Sequence, residues 1–192
     1  MKTLTIIISG MPGTGKTTLA NGLAKKFGLK TFTGSDVFKD IARKQGYNPD
    51  MVGWWETKEG MEFLAKRNTN PEFDKKVDKE TMKIAKEGGV VITSWTLPYL
   101  NAPGIKIFIT ASQEERAKRL VKRDRISYDE ALEMIKQRDD GNRKLYKELY
   151  GFELGKDLQV FDIVINTDGM SVEEVERRVV AIIEEMVIDE EP

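Results

Sequence analysis

One short segment, residues 10–17, constrains the fold of this chain more than any other feature. It reads Gly10-Met-Pro-Gly-Thr-Gly-Lys-Thr17 and matches the pattern G-x-x-x-x-G-K-[ST]. An apolar, β-branched run at 3–9 precedes it, and a helical spacing of apolar residues follows from Lys16 onward. A glycine-rich turn between a strand and a helix is a phosphate-binding arrangement. The segment therefore predicts an α/β fold of the P-loop NTPase class.

Each position of this P-loop (residues 10–17) suits a defined chemical role. Gly13 and Gly15 allow backbone conformations closed to residues with a Cβ, so that successive N–H groups can point at phosphate oxygens. Lys16 brings a cation to the β- and γ-phosphates, and Thr17 offers a hydroxyl to Mg²⁺. We therefore expect Mg-ATP as the phosphoryl donor, bound by the loop and the threonine that follows it: Gly10, Met11, Pro12, Gly13, Thr14, Gly15, Lys16, Thr17 and Thr18.

The remainder of the chain alternates between strand and helix patterns. Further strands are expected at Lys30–Thr33, Val90–Thr93, 105–109 and Ile163–Asn166. Helices are expected from near Ser35, over 71–87, and after the capping boxes that begin at Ser112, Ser127 and Ser171. This order predicts one domain over 1–188 with a mainly parallel five-stranded sheet covered by helices. The acidic tail at 189–192 is expected to be disordered.

Composition narrows the classes of function. The 192 residues carry 31 basic and 32 acidic side chains, so no net field attracts nucleic acid or a membrane, and we expect small-molecule partners. The chain has neither Cys nor His, which excludes disulfides, Cys/His zinc sites and histidine acid–base chemistry. No apolar run is long enough for a membrane span or a secretory signal. We expect a cytoplasmic monomer.

Several segments of the second half resemble the cytidylate kinases. The resemblance is carried by 102–119 and 135–140, and 142–151 is similar to the archaeal branch of that family. Together with the P-loop and 33–42, the similarity covers most of the chain. It implies a nucleoside monophosphate kinase fold with a helical acceptor flap at about 35–87 and an arginine-bearing lid at about 122–128. The implied reaction is transfer from Mg-ATP to a nucleoside monophosphate, with CMP and dCMP as the first candidates.

The resemblance also implies roles for individual residues. Arg123 and Arg138 fall where the family places phosphate-binding arginines, and Arg143 is similar to an arginine of the archaeal pattern. The expected catalytic residues are Lys16, Arg123, Arg125 and Arg138. The expected acceptor residues are Ser35, Asp36, Lys39, Trp95 and Arg143, and the expected metal ligands are Thr17 and Asp36.

Three arginines, Arg116, Arg119 and Arg123, have the spacing i, i+3 and i+7, which puts them on one helix face. Converging guanidinium groups suit a transferring phosphoryl group, whose charge spreads over its oxygens. Alternatively, Arg116 and Arg119 belong to a solvated face and pair with neighbouring acids at 114, 115 and 124. Spacing alone leaves both interpretations open.

The chain departs from the family pattern on the acceptor side. The family carries an acid and an acceptor-binding arginine after the third strand, whereas this chain has Thr93-Ser-Trp-Thr96, and Lys39 stands where arginine is usual. Either Asp36 supplies the carboxylate and Lys39 with a lid arginine holds the acceptor phosphate, or the pocket is rebuilt for another acceptor. In the second case Trp54, Trp55 and Trp95 can stack on a base, although tryptophan is more often core. Asp36 can also be simply an acid favoured in a first helical turn.

Two other functions stay open on sequence grounds. A small-molecule kinase with a hydroxyl acceptor needs a carboxylate base, for which Asp36 is the only well-placed candidate in the sequence. A regulatory module that binds ATP without catalysis is the third hypothesis, and the uncharged segment 93–96 favours it. A phosphate acceptor needs no general base, because its second pKa is about 6.

Overall fold

A computed structural model describes residues 4–51, 53–70 and 72–189 of the chain. The strands form one sheet in the order β2-β3-β1-β4-β5, and every pairing is parallel. The strands are β1 (Thr5–Gly10), β2 (Lys30–Thr33), β3 (Val90–Thr93), β4 (Ile105–Thr110) and β5 (Ile163–Asn166). The predicted five-stranded parallel sheet is therefore confirmed. Thr3, which belongs to the predicted first strand, lies outside the described residues.

Helices cover this sheet and lie in the segments between consecutive strands, except in the segment from β3 to β4. They are α1 (Lys16–Phe27), α2 (Gly34–Lys44), α3 (Lys58–Asn68), α4 (Glu72–Glu87), α5 (Gln113–Asp124), α6 (Tyr128–Tyr150) and α7 (Val172–Asp189), with a 3-10 turn at Trp54–Glu56. The sequence pattern does not predict α3, which contains a glycine and has weak apolar periodicity. Its start is fixed by Thr57, whose hydroxyl accepts a hydrogen bond from the N–H of Gly60 at 3.1 Å.

The predicted helix starts are marked by the expected serines. Ser127 and Glu130 form a reciprocal capping box at α6, while Ser112 and Ser171 each accept the backbone N–H three residues ahead. Pro71, the predicted first residue of α4, lies outside the described residues, as does the part of the predicted tail at 190–192. No helix in the described ranges is long and apolar enough to cross a membrane.

The sheet has a core on each face. Ile6 and Ile8 pack with Leu23 of α1 and Val179 of α7 on one face, and Ile7 packs with residues of α4 on the other. This alternation is the period of two that a strand buried on both faces requires. The carboxyl ends of β1, β2 and β3 then lie side by side, and the segments that follow them meet at one edge, where ligands bind in open parallel sheets.

Candidate active site

The P-loop leaves β1 at Gly10 and enters α1 at Lys16. Gly15 has a φ of +95°, a left-handed conformation that only glycine adopts without strain. At Gly10 the constraint is space, because a Cβ there would lie 2.4 Å from the carbonyl oxygen of Ile109. The loop is thus held in one shape by its glycines and by the neighbouring strand β4.

Lys16 is folded back onto the loop that carries it. Its Nζ donates hydrogen bonds to the carbonyl oxygens of Gly10 and Met11, both at 2.9 Å. Burial, together with the nearby cations Arg138 and Arg116, lowers the pKa of Lys16 to about 7, and burial is the largest of these causes. An anion placed here would favour the charged ammonium, so the site is electrostatically suited to phosphate.

Two arginines of α5 hold the P-loop from outside. Arg116 is 3% exposed, donates to the carbonyl oxygen of Pro12 at 3.0 Å, and forms a two-bond pair with Asp139 of α6 at 2.9 and 2.6 Å. Arg119 donates to the carbonyl oxygens of Thr14 at 3.0 Å and Thr167 at 2.9 Å. The interpretation of Arg116 as part of a solvated face is therefore wrong, because its charge is neutralised by a buried partner. Both side chains fix the loop's carbonyl groups.

A cavity of about 820 Å³ opens on the P-loop and extends between α2, α3, α4 and α6. Most of the residues predicted for the site line it: Pro12 to Thr18, Ser35, Asp36, Lys39, Trp95, Arg123 and Arg138. Gly10 and Met11 lie behind the wall and contribute the carbonyl groups that bind Lys16. The volume suits a ligand of nucleotide size or larger.

Two predicted arginines do not line this cavity. Arg125 is the exposed residue that follows α5, with a φ of +58°. Arg143 lies on α6, with Nη1 at 3.7 Å from Oδ1 of Asp140. Arg123 lines the cavity and pairs with Asp124 at 2.6 Å. The lid joint between α5 and α6 therefore places one arginine at the cavity and one away from it.

The residues expected to bind Mg²⁺ both face the cavity. Thr17 is exposed in the first turn of α1. Asp36 forms a capping box with Thr33, and its Oδ2 accepts the N–H of Thr33 at 3.2 Å. No cluster of three metal-binding side chains occurs among the described residues. Mg²⁺ keeps several waters and binds substrate phosphates, so one hydroxyl and one carboxylate are a donor set that fits it.

The three tryptophans have different environments. Trp54 is 1% exposed and packs in the apolar core of the flap itself. Trp55 lines the cavity and donates its ring N–H to the hydroxyl of Ser35 at 3.1 Å. Trp95 also lines the cavity and donates its ring N–H to the carbonyl oxygen of Gly10 at 2.8 Å. Trp54 is thus a core residue, whereas Trp55 and Trp95 line the cavity.

On the acceptor side, the structure brings together charges that the sequence analysis missed. Arg67 of α3 is 1% exposed and forms a two-bond pair with Asp74 of α4 at 2.9 and 2.7 Å. It also donates to Asn142 and to the hydroxyl of Tyr146, both on α6. Burial opposes the charge of Arg67, but Tyr146 and Asp74 outweigh it and raise its pKa above the ordinary value. The acids of α4 at 74 and 78 line the cavity, so Asp36 is not the only carboxylate available there.

Asp78 of α4 lies beside the segment that follows β3. Its carboxylate accepts hydrogen bonds from the hydroxyls of Thr96 and Tyr150. Burial raises the pKa of Asp78, and these two hydrogen bonds oppose the shift. A carboxylate is thus present next to 93–96, although that segment has none of its own. The spacing of aspartates four apart on α4 is the only signal in the sequence that could have indicated it.

The comparisons with known proteins agree with this geometry. A model of the cytidylate kinase-like family matches residues 5–169. The cytidylate kinase of Ignicoccus hospitalis is 36% identical over 172 residues, which cover 88% of this chain and 93% of that protein. The cytidylate kinase of Pyrococcus horikoshii is 36% identical over 172 residues, which cover 88% of this chain and 83% of that protein.

Solved structures share the fold at lower identity. A shikimate kinase from Bacteroides thetaiotaomicron has a TM-score of 0.60 and 18% identity, covering 94% of this chain and 98% of that one. A shikimate kinase from Acinetobacter baumannii, in complex with shikimate, has a TM-score of 0.58 and 19% identity, covering 99% of this chain and 96% of that one. At such identities the likeness shows the fold alone.

Proposed function

The chain belongs to the cytidylate kinase-like family, and on that premise we propose that it transfers the γ-phosphoryl group of Mg-ATP to a nucleoside monophosphate, with CMP or dCMP as the acceptor. One observation carries the proposal: a single cavity joins the P-loop to the flap helices, and cationic side chains line it from both sides. These are Lys16, Lys39, Arg67, Arg119, Arg123 and Arg138. Two phosphate groups that must approach each other need such a lining, because their charges repel.

The donor side of the reaction is assigned to the P-loop. Its backbone N–H groups and Lys16 would bind the β- and γ-phosphates of ATP. Lys16 would have to leave the carbonyl groups of Gly10 and Met11, to which it now donates. The exchange of these two carbonyl groups for phosphate oxygens is favourable, because a hydrogen bond from the ammonium of Lys16 to an anion is stronger than one to a neutral carbonyl oxygen.

The acceptor side needs no general base. The second pKa of a phosphate monoester is about 6, so the attacking oxygen is already largely ionised at neutral pH. Positioning and electrostatic stabilisation then supply the catalysis. This agrees with a chain that has no histidine. Thr17 and Asp36 would hold Mg²⁺, whose charge, when it is bound, would offset that of the phosphates.

The lid residues would complete the site on closure. Arg123 and Arg138 line the cavity, whereas Arg125 and Arg143 would reach the phosphates only if the joint between α5 and α6 moved. We propose that substrate binding closes this joint, which would exclude water and so limit hydrolysis of ATP. A cytoplasmic location and a monomeric state remain predictions from the sequence.

The test is a coupled assay of ADP release with CMP, dCMP, UMP, AMP, GMP and common hydroxyl metabolites as acceptors. We expect turnover with CMP or dCMP above all others. Turnover with a hydroxyl metabolite alone would contradict the proposal, and ATP hydrolysis unaffected by any acceptor would favour a regulatory module instead.

The variant Lys16→Ala tests whether the proposed reaction depends on the P-loop lysine. Removing the only P-loop lysine should lower kcat/KM by at least about a hundredfold, because it removes charge stabilisation from the transferring group. Lys26→Ala is the control, since Lys26 lies on the same helix and pairs with Glu184 at the surface. Equal activity of the two variants would show that turnover does not depend on this loop.

A further inference from the structure

The acceptor side of the cavity contains a cation on an unexpected element, Arg67 of α3. We propose that Arg67 is the guanidinium that binds the acceptor's phosphate in this protein, and that the ring of Trp95 is its platform. Arg67 would then replace the arginine that the resemblance to the cytidylate kinases implies within the segment 93–96. The assignment rests on the proposed function, since it concerns the acceptor of that reaction.

Aromatic rings fix the orientation of the Arg67 guanidinium. Its Cζ lies 4.8 Å from the ring centroid of Phe38, 5.5 Å from that of Trp95 and 5.6 Å from that of Tyr146. A planar guanidinium packs against aromatic faces, where the attraction between cation and ring is strengthened by the absence of water. The rings come from α2, from the segment after β3 and from α6, so three parts of the chain meet at this side chain.

The hydrogen bonds of Arg67 hold its charge in place and leave capacity for a ligand. Nε and Nη2 donate to Asp74 at 2.9 and 2.7 Å, Nη2 also donates to Tyr146, and Nη1 donates to Asn142 at 3.2 Å. A guanidinium carries five N–H groups. Within the described part of the chain these bonds use four of them, and one N–H on Nη1 is left for a further acceptor. The pair with Asp74 offsets the free-energy cost of burying the charge of Arg67 and keeps the guanidinium group in a single orientation.

The position of Trp95 locates Arg67 relative to the donor site. The ring centroid of Trp95 is 5.5 Å from Nζ of Lys16, the same separation as from Cζ of Arg67. Its ring N–H is bonded to Gly10 of the P-loop. One indole therefore contacts both the donor-side lysine and Arg67, and the phosphoryl group must be transferred near this junction.

A second guanidinium faces the same region. Arg138 lines the main cavity, and it also lines, together with Arg67 and Trp95, an adjoining cavity of about 190 Å³. An acceptor phosphate at this place would meet Arg138 from α6 and Arg67 from α3. Two cations from different elements suit an anion that carries nearly two charges at neutral pH.

The experiment compares Arg67→Met with wild type in steady-state assays and in calorimetric binding of CMP and cytidine. We expect the KM for the acceptor to rise about tenfold to a hundredfold, which corresponds to one lost charge-assisted contact. The KM for ATP should change less than about twofold, and cytidine, which has no phosphate, should bind equally well. Arg43→Met is the matched control, because Arg43 is an exposed flap arginine paired with Asp50.

A double variant tests whether an arginine in the segment after β3 can take over the role of Arg67. The double variant Arg67→Met/Trp95→Arg carries a guanidinium at position 95, and we expect it to recover most of the affinity for the acceptor. A purely structural role of Arg67 would not produce such a rescue. If Arg67→Met does not fold, Arg67→Lys keeps the charge without the fork, and its acceptor KM should still rise severalfold.

The outcomes separate this inference from the proposed function. If wild type used CMP and Arg67→Met left the acceptor KM unchanged, or raised both KM values equally, the role of Arg67 would be disproved while the function stood. If wild type used only a hydroxyl acceptor, the proposed function would fail. The same comparison, made with charged and uncharged versions of that acceptor, would still decide whether Arg67 binds its anionic group.

Discussion

Lys16 is partly buried near Arg138 and Arg116, and its pKa of about 7 makes its charge depend on pH near neutrality. Bound phosphates stabilise the ammonium, so they raise this pKa. At pH 8 the lysine of the free protein is mostly neutral, and binding of ATP should take up close to one proton. At pH 6 it is already charged, and the uptake should be small. The affinity for ATP should therefore fall as the pH rises above 7.

Calorimetry in two buffers of different ionisation enthalpy measures this uptake directly. Lys16→Arg is the control, because a guanidinium stays protonated throughout the range and cannot take up the proton. Equal proton uptake by both proteins at pH 8 would assign the titration to another group.

Among individual residues, those of the P-loop could be assigned to the site from the sequence, whereas Arg67 could not. The loop's motif spans eight consecutive residues, and its fixed positions have steric or electrostatic requirements that can be recognised in the sequence. Arg67 meets Asn142 and Tyr146 across 75 and 79 residues of chain. No spacing rule connects residues so far apart, since only the packing of α3 against α6 brings them together.

At the scale of elements, strands were easier to predict than flap helices. The central strands β1 and β3 are rich in β-branched residues and are buried on both faces, which gives a strong pattern, as in the four buried residues of β3. The helix α3 has a weak pattern, because its buried residues include the charged Arg67. A charged residue can be buried when it pairs with a residue on another helix. Such a residue interrupts the apolar periodicity from which a helix is predicted.

The packing of α5 on α6 depends on the ion pair of Arg116 with Asp139, which is 3% and 0% exposed at its two side chains. Arg116→Met leaves Asp139 buried without its charged partner, so we expect the free energy of unfolding to fall by about 3–5 kcal/mol. Urea denaturation measures this loss. Arg178→Met is the control, because its pair with Glu174 is exposed and should contribute less than about 1 kcal/mol.

The double variant Arg116→Met/Asp139→Leu tests the reason for that loss. Replacing both charges by apolar groups removes the unpaired carboxylate, so most of the stability should return. The affinity for ATP should stay reduced in both variants, because the bond from Arg116 to the carbonyl group of Pro12 is lost. A single variant as stable as wild type would show that solvent reaches Asp139.

At the scale of the whole molecule, α6 contacts both halves of the site. Asp139 on this helix binds the arginine that holds the P-loop, and Tyr150 at its end donates to Asp78 of the flap. A rigid helix with a partner at each substrate site can couple them, and such coupling is reciprocal. ATP should therefore bind more tightly when the acceptor is present, and the acceptor more tightly when ATP is present.

Tyr150→Phe tests this coupling at a residue that does not itself line the main cavity. It removes the bond from α6 to Asp78, which lies far from the P-loop in the chain. The affinity for ATP alone should stay the same, while its enhancement by a non-reactive acceptor analogue should fall about twofold to tenfold. Tyr128→Phe, the same change at the exposed start of α6, should preserve the full enhancement. If Tyr150→Phe kept it too, the two sites would communicate by a path other than the bond from Tyr150 to Asp78.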